Sequence, residues 1–64
     1  KELFNWFSEA ATQGNEIAQY YVAIFYKYGW GTKKNMKQYK YWMRKAAEQG
    51  YSKAIKELKE DGLM

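Results

Sequence analysis

The sequence predicts an all-α protein, an α/α solenoid of about two helix-turn-helix repeats whose four antiparallel helices form a right-handed stack. Three observations carry this. First, Trp6-Phe7-Ser8-Glu9-Ala10-Ala11-Thr12-Gln13-Gly14 returns 36 residues later as Trp42-Met43-Arg44-Lys45-Ala46-Ala47-Glu48-Gln49-Gly50. A self-match at such a period marks stacked supersecondary units, each of which needs its neighbour to bury an apolar face. Second, Gly14, Gly29, Gly50 and Gly62 fall where helical patterns stop, and glycine commonly follows the last residue of a helix. Third, apolar residues between these glycines recur at spacings of three and four, the helical period.

The first helix is expected over about residues 2–13, with Leu3, Trp6, Phe7 and Ala10 on one stripe and Asn5, Glu9 and Thr12 opposite. Asn15 is placed to cap a second helix that runs to about Tyr28. Its stripe of Ile17, Ala18, Tyr21, Val22, Phe25 and Tyr28 is widened by Ile24 and Tyr26, leaving Glu16, Gln19/Tyr20, Ala23 and Lys27 as a narrow polar strip. A helix apolar nearly all round is a buried one.

Gly29 to Lys34 forms the longer loop. Asn35 then caps the third helix, with Gln38 three places on expected to reach back as in a capping box. That helix, about 36–49, should turn Tyr39, Trp42, Met43, Ala46 and Ala47 inward and Lys37, Lys40, Tyr41, Arg44, Lys45 and Glu48 outward. The fourth, about 52–61, has only Ala54, Ile55 and Leu58 as an apolar stripe among Lys53, Lys56, Glu57, Lys59 and Glu60. It reads as a cap, because a terminal repeat must show a polar face to water. The alanine pairs beside Gly14 and Gly50 should let paired helices approach, with Trp6 and Trp42 filling the wider end. The expected core is Trp6, Phe7, Tyr21, Val22, Phe25, Trp42, Met43, Ala46 and Leu58.

At 64 residues the chain is one small domain. It divides into a first repeat at 1–34 and a second, truncated capping repeat at 35–64. Burial in so short a chain offsets conformational entropy by only about a few kcal/mol, and with no cysteine no disulfide can help. Seven Tyr, three Trp and three Phe supply the large side chains from which a small core can be built. The longest apolar run, Tyr20 to Tyr26, is far short of the roughly 18 residues that suggest a membrane span, so no membrane partner is expected. No basic head precedes an apolar stretch at the start. These features favour a cytoplasmic chain and leave a periplasmic or secreted one open.

The repeated residues resemble the Sel1-like repeat family, a relative of the tetratricopeptide repeat with a slightly longer unit. Its pattern is matched by Trp6, Ala10, Ala11, Gly14, Ala18, Val22, Tyr26, Gly29, Gly31 and Asn35, and again by Trp42, Ala46, Ala47, Gly50, Ala54 and Leu58. Departures are Ala23 for a glycine, Asn35 for an aspartate, Leu3 and Tyr39 for alanines, and Lys33 for a frequent proline. The resemblance implies an α/α solenoid whose concave surface holds a peptide or protein. Such proteins are often adaptors in bacterial envelope, secretion or signalling systems. It implies no catalytic residue.

The residues offer little to enzyme chemistry. Histidine and cysteine are absent, the aliphatic hydroxyls are Ser8, Thr12, Thr32 and Ser52, and Glu9/Glu16 and Glu57/Glu60 are spaced as solvated helix faces. Gly29-Trp30-Gly31 is too short to cradle a phosphate. No enzyme activity, cofactor or metal is expected.

The charge layout says more. Between Glu16 and Glu48 there is no acid but seven cations, Lys27, Lys33, Lys34, Lys37, Lys40, Arg44 and Lys45; the rest of the chain sets four lysines against seven acids. Such asymmetry attracts an acidic partner and raises its association rate. The expectation is therefore a non-enzymatic protein-interaction module, a small adaptor or inhibitor, that docks an acidic protein surface. Lys33, Lys34, Lys37, Lys40 and Arg44 would steer it, and Trp30 and Tyr41 would anchor it. The concave surface on the Tyr20 side of the second helix is the alternative site. Lysines among aromatics also suit single-stranded nucleic acid, but a single arginine and no nucleic-acid motif place protein ahead. Fewer than two full repeats seldom stand alone, which leaves self-association or a longer repeat array open. The exposed end is expected at the first helix, beside Phe4 and Phe7.

Overall fold

A computed structural model of the chain describes residues 2–63; Lys1 and Met64, the outer limits of the two expected repeats, lie outside the described residues. Four helices follow one another, α1 (Glu2–Thr12), α2 (Glu16–Tyr28), α3 (Met36–Glu48) and α4 (Ser52–Glu60). No strand occurs among the described residues. Each helix packs on the next in sequence, and the α2–α3 pairing is the most extensive. The result is a slab of 30 × 22 × 14 Å.

The turns explain why the repeat recurs. Gly14 and Gly50 sit at φ 97° and 85°, in a region where a Cβ would clash with its own backbone. Each turn closes in the same way. The Asn15 N–H donates to the Ala10 carbonyl (3.2 Å) and Gly14 N–H to that of Ala11 (3.0 Å), while Tyr51 and Gly50 donate to Ala46 (3.2 Å) and Ala47 (2.9 Å). These bonds satisfy carbonyls that a helix end otherwise leaves open.

Asn15 caps α2 by accepting from the Ala18 N–H (2.9 Å). Asn35 caps α3 by accepting from the N–H groups of Lys37 and Gln38, both at 3.1 Å. The expected return bond from Gln38 is replaced: the Asn35 N–H donates to the Tyr26 carbonyl (2.9 Å). That bond ties the end of the loop to α2.

Two buried clusters form the core. Ala11, Ala18 and Val22 join α1 to α2, and Ala23, Tyr39, Met43, Ala46, Ala54 and Leu58 join α2, α3 and α4. Trp42 packs against both. The expected core therefore needs correction. Val22, Met43, Ala46 and Leu58 are buried and Phe7, Phe25 and Trp42 are half-buried, but Trp6 is 75% exposed and Tyr21 36%. Trp6 repeats the position of Trp42 without a helix in front of it. The expected open end is likewise drawn by Leu3, Trp6 and Ile17, whereas Phe4 and Phe7 turn in against Phe25, Tyr26 and Tyr21.

The expected polar strip of α2 is in fact its packing face. Gln19 and Ala23 are buried and Lys27 is half-buried. Gln19 Nε2 donates to the Ala11 carbonyl (3.2 Å), and Gln49 Nε2 donates both to Gln19 Oε1 (3.0 Å) and to the Gly14 carbonyl (2.8 Å). The buried Gln19 amide thus donates through its nitrogen and accepts through its oxygen, which offsets the cost of its burial. The small Ala23 lets α3 come close.

Candidate partner-binding surface

Helix α3 presents its core residues and its charged residues on opposite sides. Tyr39, Met43 and Ala46 are buried, while Lys37, Lys40, Tyr41, Arg44, Lys45 and Glu48 are exposed. The periodicity dictates this, since positions three and four apart share a face and 37, 41, 44 and 48 follow that spacing. These six exposed side chains line one shallow groove of about 370 Å3. Lys37, Lys40, Tyr41 and Arg44 are thus brought together as the sequence leads one to expect. Lys45 joins them as part of the same wall.

Tyr41 is 53% exposed. Its ring stands edge-on to Trp42 at 5.1 Å, and Lys45 Nζ lies 5.4 Å from its centroid. Trp42 thereby braces the ring from the core side and Lys45 places positive charge on its face, an arrangement favourable by cation–π attraction. No group of three or more His, Cys, Asp or Glu residues converges among the described residues.

The loop contributes a separate aromatic feature. Trp30 is 56% exposed and stacks on Tyr28, centroids 4.9 Å apart and planes 23° from parallel. Lys33 and Lys34 are exposed on the same loop. Trp30 pairs with Tyr28 and Tyr41 with Trp42, so the two aromatics stand on different supports. The Tyr28 partner was not legible in the sequence, where Tyr28 falls on the apolar stripe of its helix.

Lys27 and Tyr20 are placed differently from the other candidates. Lys27 Nζ bonds Glu57 (2.6 Å) and Asp61 (3.2 Å) across the α2–α4 seam, and so is held inside the fold. The Glu57 hydrogen bond is the main reason that its pKa is raised. Of the seven cations between Glu16 and Glu48, six therefore face outward. Tyr20 is half-buried, packed edge-on to Tyr21 at 5.3 Å and Tyr51 at 5.5 Å, and burial pushes its hydroxyl pKa up. It lies in the seam between α2 and the start of α4, apart from the α3 groove.

Charge acts in opposite senses at the two ends of α3, where Lys45 in the last turn complements the helix dipole. The helix has no acid in its first turn, where α1 and α2 carry Glu2 and Glu16. Lys37 instead places a cation beside the positive end of the helix dipole, which costs about 0.3–1 kcal/mol relative to an anion.

Among the described residues, no helix is long and apolar enough to cross a membrane. Comparison with known families finds one match of note, in which the family described as Sel1 repeat covers residues 4–15 and 17–51. No curated protein and no solved structure matches the chain.

Proposed function

The chain belongs to the Sel1 repeat family, whose units generally serve as protein–protein interaction modules, and from that premise we propose that it docks an acidic protein surface through the exposed face of α3. Lys37, Lys40, Arg44 and Lys45 steer the partner, with Lys33 and Lys34 extending the positive field along the loop. Tyr41 is the anchor within the groove and Trp30, stacked on Tyr28 in the loop, is the second. Charge sets the rate of encounter, whereas an aromatic desolvated on binding sets residence and commonly contributes about 2 kcal/mol or more. In this role the protein acts as a small adaptor or inhibitor, with no reaction of its own.

The observation that carries the reading is the groove itself, where four cations and a braced, half-exposed tyrosine share a wall with a single acid, Glu48. The fit is to a protein more than to nucleic acid. Arg44 is the only arginine of the chain, and forked contacts to phosphates and base edges favour arginine.

The test is a pulldown from the native host, repeated with Lys37→Glu/Lys40→Glu and with Tyr41→Ala or Trp30→Ala, followed by affinity measurements on the recovered partner. The charge-reversal variant should slow association and weaken its salt dependence, and the aromatic variants should speed dissociation. Unchanged affinity in all of them moves the site to the Tyr20 side of α2. A mobility shift with single-stranded oligonucleotide that is stronger than binding to any acidic protein overturns the choice of partner class.

A further inference from the structure

The chain makes a third glycine turn at the end of α4, closed like those at Gly14 and Gly50 but followed by a leucine. Gly62 sits at φ 72°. Its N–H donates to the Lys59 carbonyl (3.1 Å), and that of Leu63 donates to the Leu58 carbonyl (2.9 Å). A turn closed by this pair of bonds folds the residue after the glycine back over the helix end. Asn15 and Tyr51 hold that place in the two earlier turns. Leu63 is the aliphatic member of the set, and it packs half-buried against the larger core cluster.

Ala47, Leu58 and Leu63 thereby form the apolar floor of a pocket of about 230 Å3 on the α3–α4 seam, and Arg44 and Glu48 complete its lining. The same two charged residues line the basic groove of α3. The pocket and the groove are therefore joined at Arg44 and Glu48. Neither of these charges is spent within the fold. The ion pairs among the described residues are those of Lys27, although a spacing of four would let Arg44 and Glu48 pair along the helix. The pocket is smaller than the roughly 300 Å3 at which small-molecule sites begin, a size that suits one side chain.

We propose that this pocket is a specificity subsite of the α3 ridge, taking one large aliphatic side chain from the acidic partner. The subsite rests on the reading that the ridge docks an acidic protein surface. Contact is then composite: carboxylates lie over Lys37, Lys40 and Arg44, and an aliphatic residue stands beside the carboxylate that pairs with Arg44. Two features select this occupant. The floor offers no polar side chain, so a polar occupant would lose its hydration without gaining a hydrogen bond. At the rim, Arg44 draws a carboxylate to the edge while Glu48 repels one from the pocket itself. Charge alone accepts any acidic surface, whereas the pocket separates partners that carry the aliphatic residue in register from those that do not.

The experiment measures the affinity of the 64-residue chain for two peptides, a run of glutamates flanked by leucine at each end and the same run flanked by serine, at low and physiological salt. Flanking both ends makes the result independent of the direction in which the peptide lies. The leucine peptide should bind roughly tenfold tighter, a ratio that burial of one leucine supports. That ratio should hold as salt weakens the binding of both. Ala47→Met, which fills the pocket without removing a wall, should erase the ratio and leave binding of the serine peptide unchanged. Leu63→Ser, which opens the floor, should reduce the ratio in the same way. Equal, salt-dependent binding of the two peptides overturns the subsite and leaves the ridge reading in place. A leucine preference that persists in both variants, with their circular dichroism spectra still helical, also overturns the subsite. Binding of neither peptide overturns the ridge reading and the subsite with it.

Discussion

The hydroxyl of the buried Tyr39 donates a hydrogen bond to the carboxylate of Asp61, which also accepts from Lys27. One carboxylate just past α4 thus ties α4 to both α3 and α2. Tyr39→Phe keeps the packing and removes one hydrogen bond to a charged acceptor, a loss of about 1–2 kcal/mol. Melting should fall by roughly 4–8 °C per kcal/mol. Calorimetry of the variant checks this, and an unchanged melting temperature contradicts a stabilising role for the bond.

The same cluster sets the pH range of the fold. Asp61 is held below the usual carboxylate range chiefly by the Tyr39 hydrogen bond, with Lys27 adding to it against the opposing effect of burial. Its contribution is present above the ordinary value of about 3.9 and is lost as pH falls through the lower folded-state value. Lys27 is shifted up mainly by Glu57, and Tyr39 by burial and then by Asp61. Those contributions are full below about pH 10 and drain as pH rises through the higher folded-state values. Urea unfolding across pH should show a plateau with losses at both ends. Asp61→Asn should lower the plateau and flatten the acid limb, and an acid limb of unchanged slope would falsify the assignment.

Ala46 has no free surface and sits among Ala23, Tyr39 and Met43. Ala46→Leu should overpack this junction and cost about 1–3 kcal/mol, a large share of the stability of so small a domain. Thermal melting reads the loss directly. Lys40→Leu, on the exposed side of the same helix, is the control and should leave melting almost unchanged.

Lys37 gives stability and binding opposite signs. Lys37→Glu places an acid in the first turn of α3 and should stabilise the fold by about 0.3–1 kcal/mol, while weakening association with an acidic partner. A variant that melts lower and binds equally well would contradict both halves of the argument.

The helices were legible because their signals are local. The glycines at the ends of α1, α2 and α3, the caps at Asn15 and Asn35 and the spacing of three and four each act within a few residues. What eluded the sequence depends on neighbours. Trp6 and Trp42 occupy identical positions in the repeat, and only the helix ahead of Trp42 makes their burial differ. Gln19, Ala23 and Lys27 read as a solvent strip because repeat interfaces use small and polar residues, whose pairing with Gln49 or Glu57 lies thirty residues away. For the binding surface, the exposed α3 ridge followed from period alone. Lys27 could not be separated from the free cations, nor Trp30 assigned to Tyr28, without the folded arrangement.

The central claim is that the α3 ridge reads acidic charge. It is tested most directly by measuring affinity for a glutamate-rich peptide, against a neutral peptide of the same length, at low and physiological salt. Wild-type protein should prefer the acidic peptide, and lose that preference steeply as salt screens the exposed charges. Lys40→Glu/Arg44→Glu should abolish the preference while the circular dichroism spectrum stays helical. Equal binding of the two peptides by wild type, or a preference that survives in the folded double variant, would contradict the account.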